Sequence, residues 1–338
     1  MEFCHPRLLL PSPRSAEIVP GSLGQTTPLG ARPGSLGDVS ELEKYAAAHR
    51  ILSATFLSPQ ALAEHGMSRH RIACLVADGR LVRTRNGRYL RADAHPRLLE
   101  ASRLGGRLDC VSLLAEIGVF VRDRHPLHLQ FAPATTRLPV RPEQVVAHWR
   151  ETECERTALA VDLVSALVQA CRCQPARDAV ATLDSAWHSG LVDEAEIAEI
   201  FRRLPRRYRI LRDLLDPRCE SGAETLMRLL FRALGCHVDV QVDLPGVGRV
   251  DLIIDGWLVV ECDSKAHHED WKSQLRDRRR DIAAAGLGYT TIRPVAEDIY
   301  YRSEETLAAM KAILGAHAGR QDPQNSTTQT RLRDRKAS

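Results

Sequence analysis

Val250-Asp251-Leu252-Ile253-Ile254-Asp255-Gly256-Trp257-Leu258-Val259-Val260-Glu261-Cys262-Asp263-Ser264-Lys265-Ala266-His267 is the stretch that decides the fold of this chain. Two short apolar runs flank an Asp255-Gly256 turn, and each carries one acid. Runs of this length bounded by turn residues predict buried strands. A carboxylate set among buried strand positions costs free energy unless it binds something. Register decides whether Asp251 and Glu261 can act together. A three-residue loop, Asp255 to Trp257, sets them opposite each other, whereas a two-residue loop sends them to opposite faces. Strand alternation puts Glu261, Asp263 and Lys265 on one face. Metal-assisted phosphodiester hydrolysis needs two or three carboxylates, because Mg²⁺ takes hard oxygen ligands.

The flanks extend the pattern. Ser221-Gly222-Ala223-Glu224 opens a helix with Leu226, Leu229, Leu230 and Leu234 on its core face, ending at Gly235. From His237 to Leu244 apolar and polar residues alternate, as in a half-buried strand. Downstream, a polar helix is predicted from about His268 to Ala285, a fourth strand from Tyr289 to Arg293, and a last helix near Ser303.

In this order the elements and motifs resemble the PD-(D/E)XK nucleases, and within them a very-short-patch-repair (Vsr)-like branch. That branch shows a helix Glu, a strand Asp, E-x-D-G-x-x-H, a D-x-x-R-D helix and a G-Y-x-x-x-R strand. The matching positions are Glu224, Asp251, Glu261 with Asp263 and His267, Asp277 with Arg280 and Asp281, and Gly288-Tyr289 with Arg293. Asp263 stands where the wider group has Lys, and Ser264 where the branch has Gly. The resemblance implies a restriction-endonuclease-like domain. It implies Asp251, Glu261 and the Cys262 carbonyl as ligands of Mg²⁺, with Mn²⁺ as a substitute. Catalytic support would come from Asp263, Lys265 and His267, with Glu224 binding metal through water. Plainer readings stand beside these. Glu224 has the position of a capping-box residue. Asp251 and Glu261 could be surface acids of an edge hairpin, and Lys265 and His267 solvated. Asp277, Arg280 and Asp281 read better as ion pairs along one helix than as catalysts.

Nearer the amino terminus, Ser40-Glu41-Leu42-Glu43 reads as a capping box opening a helix, and Ser58-Pro59 and Ser68 begin two more. Leu81 to Arg85 and Arg88 to Leu90 flank Asn86-Gly87, a signal for a type I′ hairpin. Three helices and a hairpin make a winged helix-turn-helix. Its recognition helix, Ser68 to Ala77, carries Arg69 and Arg71, and its wing carries Arg80, Arg83, Arg85, Arg88 and Arg91, all suited to phosphate and groove contacts. The run Leu75 to Arg83 with Asn86 to Tyr89 resembles the winged helix of AbiEi-type antitoxins. The likeness continues more weakly through Asp109 to Leu114, His125 to Leu129 and Ala179 to Gly190. Where that family has His and Ser near position 109, Asp109 and Cys110 stand here, so no nucleotidyl transfer is expected. Arg202, Arg203, Arg206, Arg207, Arg209 and Arg212 form a further basic stretch.

The expected architecture is α+β and multidomain. A disordered tail (1–38, or an over-long start) precedes a winged helix-turn-helix (40–95). A mostly helical middle (98–216) has one strand at His125 to Phe131. A restriction-endonuclease-like α/β domain (217–316) and a basic disordered tail (319–338) complete the chain. Of the 338 residues, 44% are hydrophobic, enough for a real core, and the net charge of +4 is too mild to point to a partner by itself. No apolar run is long enough to cross a membrane. The nine cysteines are scattered without a C-x-x-C pair, which predicts reduced thiols, no structural metal and a cytoplasmic home. Double-stranded DNA is the expected partner, with a second copy of the chain and a cognate toxin as further candidates. The function expected is a metal-dependent DNA endonuclease or nickase. The alternative is a non-catalytic, antitoxin-like DNA-binding regulator with a degenerate nuclease fold.

Overall fold

A computed structural model describes residues 39–262 and 271–321. The expectations for 1–38, for 322–338 and for Asp263, Ser264, Lys265 and His267 lie outside the described residues. The architecture is mixed α and β, and among the described residues no helix is long and apolar enough to cross a membrane.

The first elements are α1 (Val39–Leu52), α2 (Pro59–Glu64) and α3 (Arg69–Ala77), followed by β1 (Leu81–Arg85) and β2 (Arg88–Arg91). Local capping chemistry sets two of the starts. The Ser58 hydroxyl accepts from the Ala61 amide at 3.0 Å, with Pro59 at the first helical position, and Ser68 accepts from the Arg71 amide at 3.1 Å. The hairpin departs from the type I′ expectation. That turn needs positive φ at both central residues, yet only Gly87 has it (φ +73°). The pairing also slips at Thr84, which bulges out of β1 and shares a 2.7 Å hydrogen bond with Ser102. A bulge with a glycine turn thus replaces the tight symmetric turn.

The next segment contains more strand than expected. After α4 (Pro96–Leu104) come β3 (Arg107–Leu108), α5 (Cys110–Glu116), β4 (Leu127–Phe131) and β5 (Val145–Trp149). These strands form one sheet in the order β3-β4-β5, antiparallel and then parallel, where the sequence predicts a single strand. Then follow α6 (Leu163–Cys173), α7 (Ala176–His188), α8 (Glu194–Arg203) and a 3₁₀ segment, Arg206–Leu214. Leu108, Leu113, Leu129, Leu167, Leu183 and Ile197, each fully buried, form the centre of one core with these elements.

A second core lies under the remaining elements: α9 (Gly222–Ala233), β6 (Val238–Leu244), β7 (Gly248–Ile254), β8 (Leu258–Val260), α10 (Trp271–Gly286), β9 (Thr290–Ile292), α11 (Ala296–Tyr301) and α12 (Ser303–Gln321). Short α11 is not among the expected elements, and α12 runs past the expected tail start at Gly319. The sheet order is β6-β7-β8-β9, with β8 and β9 parallel and the other pairs antiparallel. Leu252, Ile254, Leu258 and Val260 face α9, while Ile253 and Val259 pack against Ala284 of α10. A sheet covered on both faces explains why β7 and β8 read as continuous apolar runs.

The two cores meet along α7 and α9. Arg228 of α9, with none of its surface exposed, donates from Nη2 to Asp184 Oδ2 of α7 at 2.8 Å. Asp184 also accepts from the Thr225 hydroxyl at 3.0 Å and from the Asp216 amide at 2.8 Å.

Candidate functional site

The site begins with strand register. β7 and β8 pair Ile254 with Leu258, Ile253 with Val259 and Leu252 with Val260, so the next step sets Asp251 opposite Glu261. Asp255 and Gly256 make the turn with φ of +48° and +72°, and the loop is the three-residue form, 255–257, that the chemistry requires. Same-face parity places Glu261 with Val259, towards α10, whereas alternation breaks in β7 beside Asp251, since Val250 packs with Ile253 and not with Leu252.

The row extends one strand further. β6 and β7 pair Val240 with Leu252 and Val242 with Val250, so Gln241 stands across from Asp251. Gln241 has φ +55°, a region that residues with a Cβ seldom adopt. Its side-chain amide donates to Glu224 Oε2 at 2.9 Å. Glu224 sits in the first turn of α9, where its own amide donates to Ser221 Oγ at 3.2 Å. Its carboxylate also accepts from the Glu220 amide at 2.8 Å, one residue earlier than a capping box would place it. Glu224 is buried and is held on two sides.

Asp251 Oδ2 accepts from the Cys262 amide at 2.8 Å, which fixes the carboxylate against the chain leaving β8. The Glu261 amide donates to the Ile292 carbonyl at 3.0 Å, tying its backbone to β9. Its Oε1 accepts from Arg280 Nη2 at 2.9 Å, and Arg293 lies 4.0 Å away. Arg293 also pairs with Asp281 at 2.9 Å. Arg280 and Asp281 of α10 thus reach across to Glu261 and Arg293, while Asp277 lies 3.9 Å from Arg276 along the helix.

Burial pushes the carboxyls of Glu224, Asp251 and Glu261 above the ordinary carboxylate range. The charge of Asp251 adds to the push on Glu224 and Glu261. Buried acids that oppose each other's ionisation are relieved by a divalent cation. Asp251, Glu261 and the Cys262 carbonyl offer hard oxygen donors, and Glu224 offers a further carboxylate nearby.

The basic residues near the amino terminus divide into two groups. Arg69, Arg71, Arg80 and Arg83 are exposed, with Arg83 donating to Asn86 at 2.8 Å. Arg85 and Arg88 are half-buried and already engaged. Arg85 donates to the Arg137 carbonyl at 2.8 Å, and Arg88 stacks over the Phe56 ring at 4.7 Å, where burial lowers its pKa. Arg91 pairs with Asp93 at 2.7 Å. Of the later arginines, Arg202 and Arg203 hold Glu199, and Arg212 holds Glu194.

Sequence reasoning misses Gln241, which alternation assigns to the solvent side of β6. It also misses a second group of metal-ligating side chains, Cys110, His128, His148 and Cys173, brought together from four elements of the first core. Cysteine spacing argues against any structural metal, and no local motif marks this group. Comparison of the chain with protein-family models, with curated proteins and with solved structures finds no match.

Proposed function

We propose that this chain is a metal-dependent DNA endonuclease or nickase of the PD-(D/E)XK, Vsr-like kind. Its AbiEi-like winged helix-turn-helix, about residues 40–95, would deliver double-stranded DNA. One observation carries the reading. Asp251 and Glu261 stand opposite each other on paired chain segments, with Glu224 tied into the same row through Gln241. A helix, three antiparallel strands, a helix and a parallel strand in this order support the resemblance read from the motifs.

Carboxylates and a backbone carbonyl are the donor types that a hard divalent cation takes. In this proposal Asp251, Glu261 and the Cys262 carbonyl hold Mg²⁺. When bound, the ion would acidify a water and offset charge on the scissile phosphate. The chain's own residues prepare the site. The Cys262 amide orients Asp251, Gln241 and the Glu220 amide orient Glu224, and Arg280 positions Glu261. Lys265 and His267 take the roles of stabilising negative charge and orienting water. Arg69, Arg71, Arg80 and Arg83 supply exposed phosphate contacts, with Arg85 and Arg88 bracing the wing.

A second reading is favoured by one interaction. Arg280 already neutralises Glu261 at 2.9 Å. With Asp263 and Ser264 in place of Lys and Gly, that pairing suits a DNA-binding regulator whose nuclease fold no longer cleaves. Incubation of supercoiled plasmid with the full chain, in Mg²⁺ and in EDTA, separates the two. Nicked or linear product in Mg²⁺ alone supports the enzyme. DNA retention without product in Mg²⁺ or Mn²⁺ supports the regulator.

A further inference from the structure

The first core contains a group of side chains that the nuclease reading does not use. Cys110 opens α5, His128 lies in β4, His148 lies in β5, and Cys173 ends α6. Their ligating atoms all lie within 4.8 Å of one another. The parallel pairing of β4 and β5 sets His148 beside Gln130, two residues along from His128. The two imidazoles therefore share a face of the sheet. His128 Nδ1 stands 3.0 Å from His148 Nε2, and His148 Nε2 stands 3.9 Å from Cys173 Sγ. A tetrahedral ion with bonds of about 2.0–2.3 Å requires ligand separations of roughly 3.3–3.8 Å. The observed spacings bracket that range. We propose that Cys110, His128, His148 and Cys173 form a structural Zn²⁺ site that fastens α5 and α6 to the β4–β5 edge.

Three further observations support a metal over a chance polar cluster. Cys110 has φ +53°, and backbone strain of this kind persists where the surroundings must aim a side chain. The Cys173 sulfur is supported from behind, and the backbone of His128 is held in place. Gln169 donates to Cys173 Sγ at 3.2 Å and accepts from Arg150, which is held at 2.7 Å by the fully buried Asp109 next to Cys110. The Ser112 hydroxyl accepts from the His128 amide at 2.8 Å. Outer partners of this sort hold metal ligands in orientation. Two thiolates and two imidazoles also match the preference of Zn²⁺ rather than that of Mg²⁺, and four protein ligands complete its coordination. Cys110, His128 and His148 are buried while Cys173 is exposed, so the ion has a path in from solvent.

The test uses the full chain, purified without added chelator and analysed for bound metal by mass spectrometry. The expected result is one zinc per chain. Replacement with Co²⁺ should give the visible bands of a tetrahedral site together with thiolate-to-cobalt charge transfer. Cys173→Ser, at the exposed ligand, should lower zinc content at least tenfold. Cys171→Ser and Glu261→Gln should retain it, which separates this site from both the neighbouring thiol and the carboxylate row. If Cys173→Ser does not fold, the parent protein still decides the matter. Zinc stripped with a strong chelator and added back should restore a higher melting temperature. A parent chain that takes up no zinc overturns the proposal. So does cobalt binding without thiolate charge transfer, or zinc retained in Cys173→Ser.

Discussion

Asp184→Asn is expected to be among the most damaging single substitutions outside the carboxylate row. The change keeps the size of the side chain and much of its accepting capacity, yet it removes the negative charge that Arg228 faces. Arg228 is fully buried, Asp184 is 1% exposed, and the two meet at 2.8 Å. Arg228 Nε and Nη1 have no other hydrogen-bond partner among the described residues. With Asn in place, the guanidinium would be left in the interior between α7 and α9 without the carboxylate it contacts, with Asp216, itself paired to Arg218, as the remaining nearby negative charge. Breaking one half of a buried pair in this way costs about 3–5 kcal/mol. At a urea slope of about 3 kcal/mol/M, the midpoint should fall by about 1–1.7 M. Circular dichroism against urea, on parent and variant, measures the shift. The double variant Asp184→Leu with Arg228→Met should recover most of the loss, because a buried pair replaced by apolar residues is close to neutral. A shift below about 1 kcal/mol in Asp184→Asn, or a double variant worse than the single, would refute the argument that this charge pair joins the two cores.

Other consequences are open to test. Arg69→Glu and Arg83→Glu should weaken duplex DNA binding and flatten its salt dependence, by about 0.9 in log–log slope for each phosphate no longer neutralised. Arg88→Glu should act first on thermal stability, since its guanidinium is stacked on Phe56; gel-shift titrations at several salt concentrations, alongside melts, distinguish the two effects. Gln241→Ala removes a donor to Glu224 and should weaken Mg²⁺ binding about 10–100-fold, the usual scale for an outer partner of a metal ligand; calorimetric titration with Mg²⁺ reads this directly, and unchanged affinity would remove Gln241 from the site. In metal-free protein, the folded-state pKa values of Glu224, Asp251 and Glu261 are raised. Their contribution to stability is fully present below the ordinary carboxylate range and is lost as pH rises through the raised values. Melts in EDTA should therefore fall in that window, and Mg²⁺ should reduce the fall; a metal-free profile that rises there would contradict the burial argument.

What the sequence discloses and what it hides follow from distance along the chain. Ser58, Ser68 and Ser221 are legible as caps because a cap bonds within three residues of itself. The loop 255–257 can be posed as a register question because strand parity is local, and Asp251 and Glu261 fall out of it. The turn at Asn86-Gly87 is located by its sequence but mistyped, since the bulge at Thr84 is held by Ser102 from another element. β3 is two residues long and exists through its pairing to β4 and a bridge from Leu108 to Ala160, so nothing in its own sequence could announce it. Gln241 is hidden by its positive φ, which breaks the alternation that sends it to solvent. Cys110, His128, His148 and Cys173 each come from a different element, and only the packing of the first core makes them neighbours. The engagement of Arg280 with Glu261 is likewise a tertiary fact.

Plasmid nicking by Glu261→Gln against the parent chain in Mg²⁺ shows whether Glu261 serves cleavage. The substitution preserves shape while taking one negative charge from the carboxylate row, and Mg²⁺ depends on one or two such charges. Mg²⁺-dependent cleavage by the parent is expected, with a loss of at least about a hundredfold in the variant and DNA binding that is unchanged or tighter. A variant that cleaves like the parent would make Glu261 an acid with no part in metal binding.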